Sequence, residues 1–72
     1  MKKYKITIFD AIRGALTYED DSLEMVNFIF SEKLKNTEFI EDMIITEYKS
    51  YWDYKVIKHF ENIKWRTHVY EH

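Results

Sequence analysis

The sequence contains no cysteine and no proline, and only one of its 72 residues is glycine. The lack of cysteine excludes a disulfide framework and a thiolate metal site, and it favours a reducing, cytoplasmic compartment. No apolar run is long enough to cross a bilayer, so we expect no membrane partner. Polar and apolar residues alternate from Tyr4 to Asp10, which does not fit the continuous apolar core of a signal peptide. A chain of this length accommodates one small domain, which we assign to residues 1–72.

The chain also lacks a large excess of positive or negative charge. The chain has 11 Lys and Arg against 13 Asp and Glu, for a net charge of −2, whereas general nucleic-acid binding needs a concentrated basic surface. Hydrophobic residues make up 46% and aromatic residues 18% of the chain, which excludes intrinsic disorder. The core of so small a domain rarely contributes more than about 3–5 kcal/mol of net stability. We therefore expect dense aromatic packing, a partner chain or both.

The first third of the chain predicts a β-hairpin. Residues 3–9 alternate with period two, which directs Tyr4, Ile6 and Ile8 to one side of a strand. Gly14 supplies the positive φ that a tight hairpin loop requires. Residues 15–19 would then return as the second strand.

A helix is predicted from about Ser22 to Lys35. Asp21 is the expected N-cap, and Glu24 follows it at the spacing of a capping box. The apolar residues of this helix cover roughly two-thirds of its circumference, whereas a surface helix needs a stripe of only about 100°. We therefore expect the helix to contact its own sheet on one side and a second layer, a dimer mate or a partner on the other.

The second half of the chain is rich in Ile, Tyr, Val, Thr and Trp, which favour strands. Its period-two alternation predicts strands at about 43–51, 54–60 and 63–70, joined by turns near Trp52-Asp53 and Glu61-Asn62. The alternative is a second long helix at about 38–61, with Thr37 as its N-cap and apolar residues at four-residue spacing. The preferred fold class is α+β: a small antiparallel sheet, formed by the N-terminal hairpin and a C-terminal meander, with one helix packed on one face.

No motif for catalysis or metal binding stands out. His68 and His72 are four residues apart, a spacing that would place both imidazoles on one face of a helix, where they could bind a metal ion. A strand is predicted there instead, and His59 is distant in sequence. The adjacent acids Asp20-Asp21 and Glu41-Asp42 are explained as helix starts rather than as an acid–base pair. We therefore expect no metal, no cofactor and no enzymatic activity.

Tyrosine and tryptophan are the most informative residues, because their rings bury apolar area while presenting a polar tip and are enriched at interface hot spots. The alternative is that these rings form the core of a small sheet. The acidic cluster from Glu19 to Glu24 would steer association with a basic surface of the partner. The candidate partner-binding residues are Glu19, Asp20, Asp21, Tyr48, Tyr51, Trp52, Tyr54 and Trp65.

These features predict a non-enzymatic protein-binding module, either a homodimer or a stoichiometric inhibitor of a larger protein. In size and in its abundance of residues with AT-rich codons the chain is similar to small phage inhibitors, which would place it in the host cytoplasm. That similarity rests on no specific residue. The alternative is a small single-stranded nucleic-acid-binding domain in which Trp52, Trp65 and the late lysines contact the bases and the backbone.

Overall fold

The computed structural model describes residues 1–63 and 66–71. In this part of the chain the elements are β1 (Tyr4–Asp10), β2 (Gly14–Asp20), α1 (Leu23–Leu34), β3 (Ile40–Tyr48), β4 (Tyr54–Ile63) and β5 (Arg66–Glu71). The strands form one antiparallel sheet in the order β2-β1-β3-β4-β5, and α1 lies over β1 and β2. The predicted α+β class, with its N-terminal hairpin and C-terminal meander, is confirmed. The alternative helix at about 38–61 is wrong, because β3 and β4 occupy most of that stretch.

The hairpin closes at Gly14, as predicted. The φ angle of Gly14 is +81°, in the left-handed region that side chains disfavour. Asp10 lies opposite Gly14, and its Oδ1 accepts the backbone N–H groups of Ile12 at 2.8 Å and of Arg13 at 2.9 Å. This side-chain turn fixes the loop, and β1 and β2 pair without irregularity along their full length.

The helix begins one residue later than predicted. Ser22, and not Asp21, is the N-cap, since its Oγ accepts the N–H of Met25 at 3.2 Å. Asp21 instead accepts the backbone N–H of Lys3 at 2.9 Å and so ties the helix start to the chain before β1. The predicted capping box is therefore wrong, although Glu24 still lies in the first turn, where its charge favours the helix dipole.

The strands of the meander are displaced from their predicted positions. β3 begins and ends three residues earlier than expected, and the turn predicted near Trp52-Asp53 lies between β3 and β4. The turn predicted at Glu61-Asn62 is wrong, because both residues pair within the β4–β5 ladder. β4 ends at Ile63 and β5 begins at Arg66, and residues 64–65 lie outside the described residues.

The core lies between α1 and one face of the sheet. Residues directly opposite each other in an antiparallel ladder share a face, and Ile6 lies opposite Ile45, as Met43 lies opposite Phe60. The buried hydrophobic side chains are Tyr4, Ile6, Ile8, Val26, Phe30, Ile40, Met43, Ile45 and Phe60.

A β-bulge in β4 decides which of its side chains reach this core. Ile45 pairs with Lys58, whereas the next residue, Thr46, pairs with Val56, so Ile57 is the extra residue. Lys58 Nζ donates to Asn27 Oδ1 on α1 at 3.1 Å, which places Lys58 on the helix-covered face. Val56 therefore lies on the opposite face, although its number has the same parity as that of Lys58.

Candidate functional site

The sheet surface that faces away from α1, called the open face below, has no second layer within the described part of the chain. The aromatic and aliphatic side chains on this face are either exposed or only partly buried. An apolar sheet face is a surface that another layer normally covers. The open face is formed by Ala15, Thr17 and Glu19 from β2, Lys5, Thr7 and Phe9 from β1, Asp42, Ile44, Thr46 and Tyr48 from β3, Tyr54, Val56, His59 and Glu61 from β4, and Tyr70 from β5.

One end of the open face forms a concave site, called the tyrosine hollow. It encloses about 500 Å³ and is lined by Met1, Lys5, Glu19, Tyr48, Tyr51 and Tyr54. Tyr48 and Tyr54 lie directly opposite each other in the β3–β4 ladder, so their ring centroids are only 5.4 Å apart. Lys5, on the neighbouring strand, places its Nζ 5.6 Å from the centroid of the Tyr48 ring, within cation–π range.

The turn between β3 and β4 extends the aromatic surface beyond the edge of the hollow. The N–H of Lys49 donates to the carbonyl of Asp53 at 2.8 Å, and the N–H of Asp53 donates to Ser50 Oγ at 3.2 Å. These bonds close the turn and leave Tyr51 and Trp52 at its tip, with ring centroids 5.8 Å apart and exposures of 72% and 87%. The alternative in which these rings form the core is therefore wrong for Tyr51 and Trp52, and also for Tyr54, which is 60% exposed.

The three predicted acidic residues have different positions. Glu19 lines the tyrosine hollow, and Asp21 lines an adjoining hollow of about 400 Å³ that shares Met1 and Tyr48 with it. Asp20 lies on the helix-covered face, where it accepts the N–H of Ser22 at 2.7 Å and the hydroxyl of Tyr18 at 3.2 Å. The fold thus brings Glu19 and Asp21 towards the predicted tyrosines and gives Asp20 a structural role. Trp65 lies outside the described residues.

Two of the lysines that the nucleic-acid alternative requires lie on the helix-covered face. Lys58 Nζ is 5.1 Å from the centroid of the Phe30 ring and 3.6 Å from a carboxylate oxygen of Glu71. Lys55 Nζ is 3.7 Å from a carboxylate oxygen of Glu47. Lys49 lies in the turn beside the second hollow, and Lys64 lies outside the described residues.

Local hydrogen bonds shift the pKa values of two side chains in the β1–β2 hairpin. The backbone N–H groups of Arg13 and Ile12 lower the pKa of Asp10, and the hydrogen bond to Asp20 raises the pKa of Tyr18. Asp10 is half-buried and Tyr18 is exposed, and neither lines the tyrosine hollow. Among the described residues no group of three or more His, Asp or Glu side chains is arranged to hold a metal ion, and α1 is not long and apolar enough to span a membrane.

The partner-binding residues predicted from the sequence did not include the open-face side chains Phe9, Ile44, Val56, His59 and Tyr70. The signal for Phe9 was present, since alternation places it on the side of β1 opposite Tyr4, Ile6 and Ile8, where polar residues are expected. His59 and Tyr70 required knowledge of the β4–β5 register, which brings their ring centroids to 5.8 Å.

Comparisons with protein families, with curated proteins and with solved structures give no match for this chain.

Proposed function

We propose that this chain is a non-enzymatic protein-binding module that docks a partner protein on the open face, with the tyrosine hollow and Trp52 at the centre of the interface. The observation that carries this proposal is the number of large hydrophobic side chains left at the surface. Nine hydrophobic side chains are buried, whereas fifteen large ones are exposed among the described residues. Six of these fifteen belong to the open face or to the adjoining turn, and a contiguous exposed apolar patch is typical of a surface that binds another protein. They are Phe9, Tyr51, Trp52, Tyr54, Val56 and Tyr70.

The arrangement of these side chains favours the open face over the outer surface of α1. At one end of the open face three tyrosine rings converge on a concave site, and hot-spot residues usually cluster in such pockets. On α1 the exposed Phe28 shares a shallow hollow with Met25, Ser22 and Glu24. Leu23 and Leu34 are also exposed on α1, but Phe28 is the only aromatic ring among the described residues that lines this hollow.

The charges of the open face indicate the chemistry of the partner. Glu19, Asp42 and Glu61 carry negative charge there, while Lys5 is its only lysine or arginine among the described side chains. Asp21 adds negative charge beside the hollow. A partner with an apolar or aromatic centre and a basic rim would complement this surface, and the rim charges would mainly accelerate association.

A single-stranded nucleic acid is the second candidate ligand, and one observation favours it. Tyr48 and Tyr54 are rings on an open antiparallel sheet face with Lys5 beside them, an arrangement that can stack bases. The position of Lys55 and Lys58 on the helix-covered face counts against it, because a phosphate backbone tracking the open face would not meet them.

The experiment measures the affinity of the immobilised chain for a protein captured from a lysate of the source cell. Tyr54→Ala and Trp52→Ala each remove an exposed ring, and Phe28→Ala is the matched control because Phe28 and Tyr54 are both 60% exposed. We expect each of the first two substitutions to weaken binding by about tenfold or more and Phe28→Ala to leave it unchanged. A partner whose affinity depends on Phe28 but not on Tyr54 or Trp52 would refute the proposal.

A salt titration with single-stranded homopolymers separates the two candidates. A protein interface built on apolar area loses little affinity as salt is raised, whereas phosphate binding falls steeply because counterions are released. Tight homopolymer binding with a steep salt dependence, abolished by Tyr54→Ala, would replace protein binding with the nucleic-acid function.

A further inference from the structure

We propose that the outer edge of β2 pairs with the same edge of a second copy of this chain, so that two sheets join into one continuous sheet. This surface is distinct from the open face, and the inference does not rest on the proposed function.

The first observation is the unprotected state of this edge. β2 is the terminal strand of the sheet order, and β1 is its only strand neighbour among the described residues. Edge strands expose a row of backbone donors and acceptors, and proteins usually protect them with charged side chains, especially lysine, with proline or with a bulge. The two charged residues of β2, Glu19 and Asp20, lie at its C-terminal end and leave the other five positions of the edge uncharged. β2 contains neither lysine nor proline, and its ladder with β1 is regular over all seven residues.

The second observation is that the strand complements itself. Thr17 is the midpoint of the seven-residue strand Gly14–Asp20. A two-fold axis through Thr17, perpendicular to the sheet, pairs all of its residues with the antiparallel strand of the second copy. A shift that sets Tyr18 opposite itself shortens the ladder by two residues and places Leu16 opposite the charged Asp20. The full-length register is therefore the one we infer.

In this register the central pairs are favourable. Thr17 faces Thr17 of the second copy, and opposed threonines stabilise antiparallel ladders. On the helix-covered face the partly exposed Leu16 faces the exposed Tyr18 of the second copy. An aliphatic side chain beside an aromatic ring is likewise a stabilising cross-strand pair.

The charged residues of β2 are also accommodated by the two-fold axis. Glu19 faces the small, uncharged Ala15 of the second copy, so no like charges are directly opposed. Just beyond the strand ends, Arg13 comes opposite Asp21 of the second copy, and both are exposed in the single chain. This pair of opposite charges occurs twice, once at each end of the ladder.

The position of α1 allows this assembly. Asn27 faces β4, because it accepts the Lys58 ammonium. Met25, two residues earlier and therefore about 160° around the helix, lies on the flank towards the β2 edge and is exposed. With α1 over β1 and β2 and strands spaced about 4.8 Å apart, the axes of the two helices would lie about 10 Å apart, within packing distance. The Met25 flanks would then face each other.

Sedimentation velocity over a concentration series tests the register with two lysine substitutions on the same face of the same strand. Thr17→Lys sets like charges directly opposite each other at the axis, and we expect it to weaken the dimer by roughly fivefold. Ala15→Lys faces Glu19 of the second copy, and we expect it to leave the dimer unchanged or tighter. Both positions are exposed, so both variants should fold, which circular dichroism will verify.

Single cysteines give a second, independent measurement, because the natural chain has none. Under mild oxidation Thr17→Cys should form a covalent dimer rapidly, since opposed residues of a ladder have Cα atoms within disulfide range. Ala15→Cys should not, because its two copies would lie roughly 13 Å apart along the strands. A chain that stays monomeric at every concentration, a dimer equally insensitive to both lysines, or equal cross-linking rates for both cysteines would overturn the inference.

Discussion

Truncation of two aromatic residues of the same strand should lower the stability of the fold by very different amounts. Phe60 is fully buried beneath α1 and faces Met43, whereas Tyr54 is 60% exposed on the open face. Phe60→Ala should lower the free energy of unfolding by about 3–5 kcal/mol, because buried apolar area is lost and a cavity remains. Tyr54→Ala should lower the free energy of unfolding by only about 1 kcal/mol, because the ring is mostly exposed and loses little more than its contact with Tyr48.

These magnitudes predict qualitatively different proteins. Because a core of this size supplies only about 3–5 kcal/mol of net stability, Phe60→Ala should abolish the folded state, and Tyr54→Ala should retain it. Urea titration followed by circular dichroism measures both, with Phe60→Leu as a milder core variant that keeps a measurable transition. A Tyr54→Ala variant that loses as much free energy of unfolding as Phe60→Leu or more would refute the assignment of Tyr54 to the surface.

Three further predictions concern the hairpin and the helix cap. Gly14→Ala should lower the free energy of unfolding by about 1 kcal/mol, because a side chain at φ +81° is strained; urea midpoints measure this. Ser22→Ala should cost about 1 kcal/mol through loss of the N-cap, seen as a lower thermal midpoint. The folded-state pKa of Asp10 is lowered, so its contribution to stability is present at neutral pH and lost as pH falls through that pKa. Comparing the acid-unfolding curves of the natural chain and Asp10→Ala should show the two stabilities converging at low pH, and constant separation would contradict this.

The hairpin could be predicted because its alternation and its glycine agree, and strands were preferred in the second half because its composition favours them over the alternative helix at about 38–61. Gly14 is the only glycine, and the loop it closes needs a positive φ. The helix cap was displaced by one residue because Asp20, Asp21 and Ser22 are all acceptable caps. In the fold Asp21 accepts the N–H of Lys3 and Asp20 accepts the N–H of Ser22, which leaves the Ser22 hydroxyl as the cap.

The strand boundaries could not be predicted because the alternation continues beyond the strand. Ser50 and Trp52 extend the period-two pattern of β3 into the turn, so the pattern alone does not reveal that β3 ends at Tyr48. The bulge at Ile57 is equally hidden, because it depends on pairing with β3. This bulge determines that Val56 belongs to the open face and Phe60 to the core.

The candidate site was predicted in composition but not in shape. The tyrosines were singled out because Tyr and Trp are typical of interfaces, and the fold does bring Tyr48, Tyr51 and Tyr54 together with Glu19. The presence of Lys5 in the hollow depends on the strand order, which places β1 between β2 and β3. No local sequence signal contains that order.

The central claim, that the open face is the docking surface, is tested most directly by methyl NMR of the labelled chain titrated with its captured partner. Ile44 and Ile45 are adjacent in β3 but lie on opposite faces, and Ile45 is fully buried. If the partner docks on the open face, the methyl signals of Ile44 and Val56 shift or broaden most strongly, while those of Met25 on α1 stay unchanged. Perturbation centred on Met25, with Ile44 and Val56 unaffected, would contradict it.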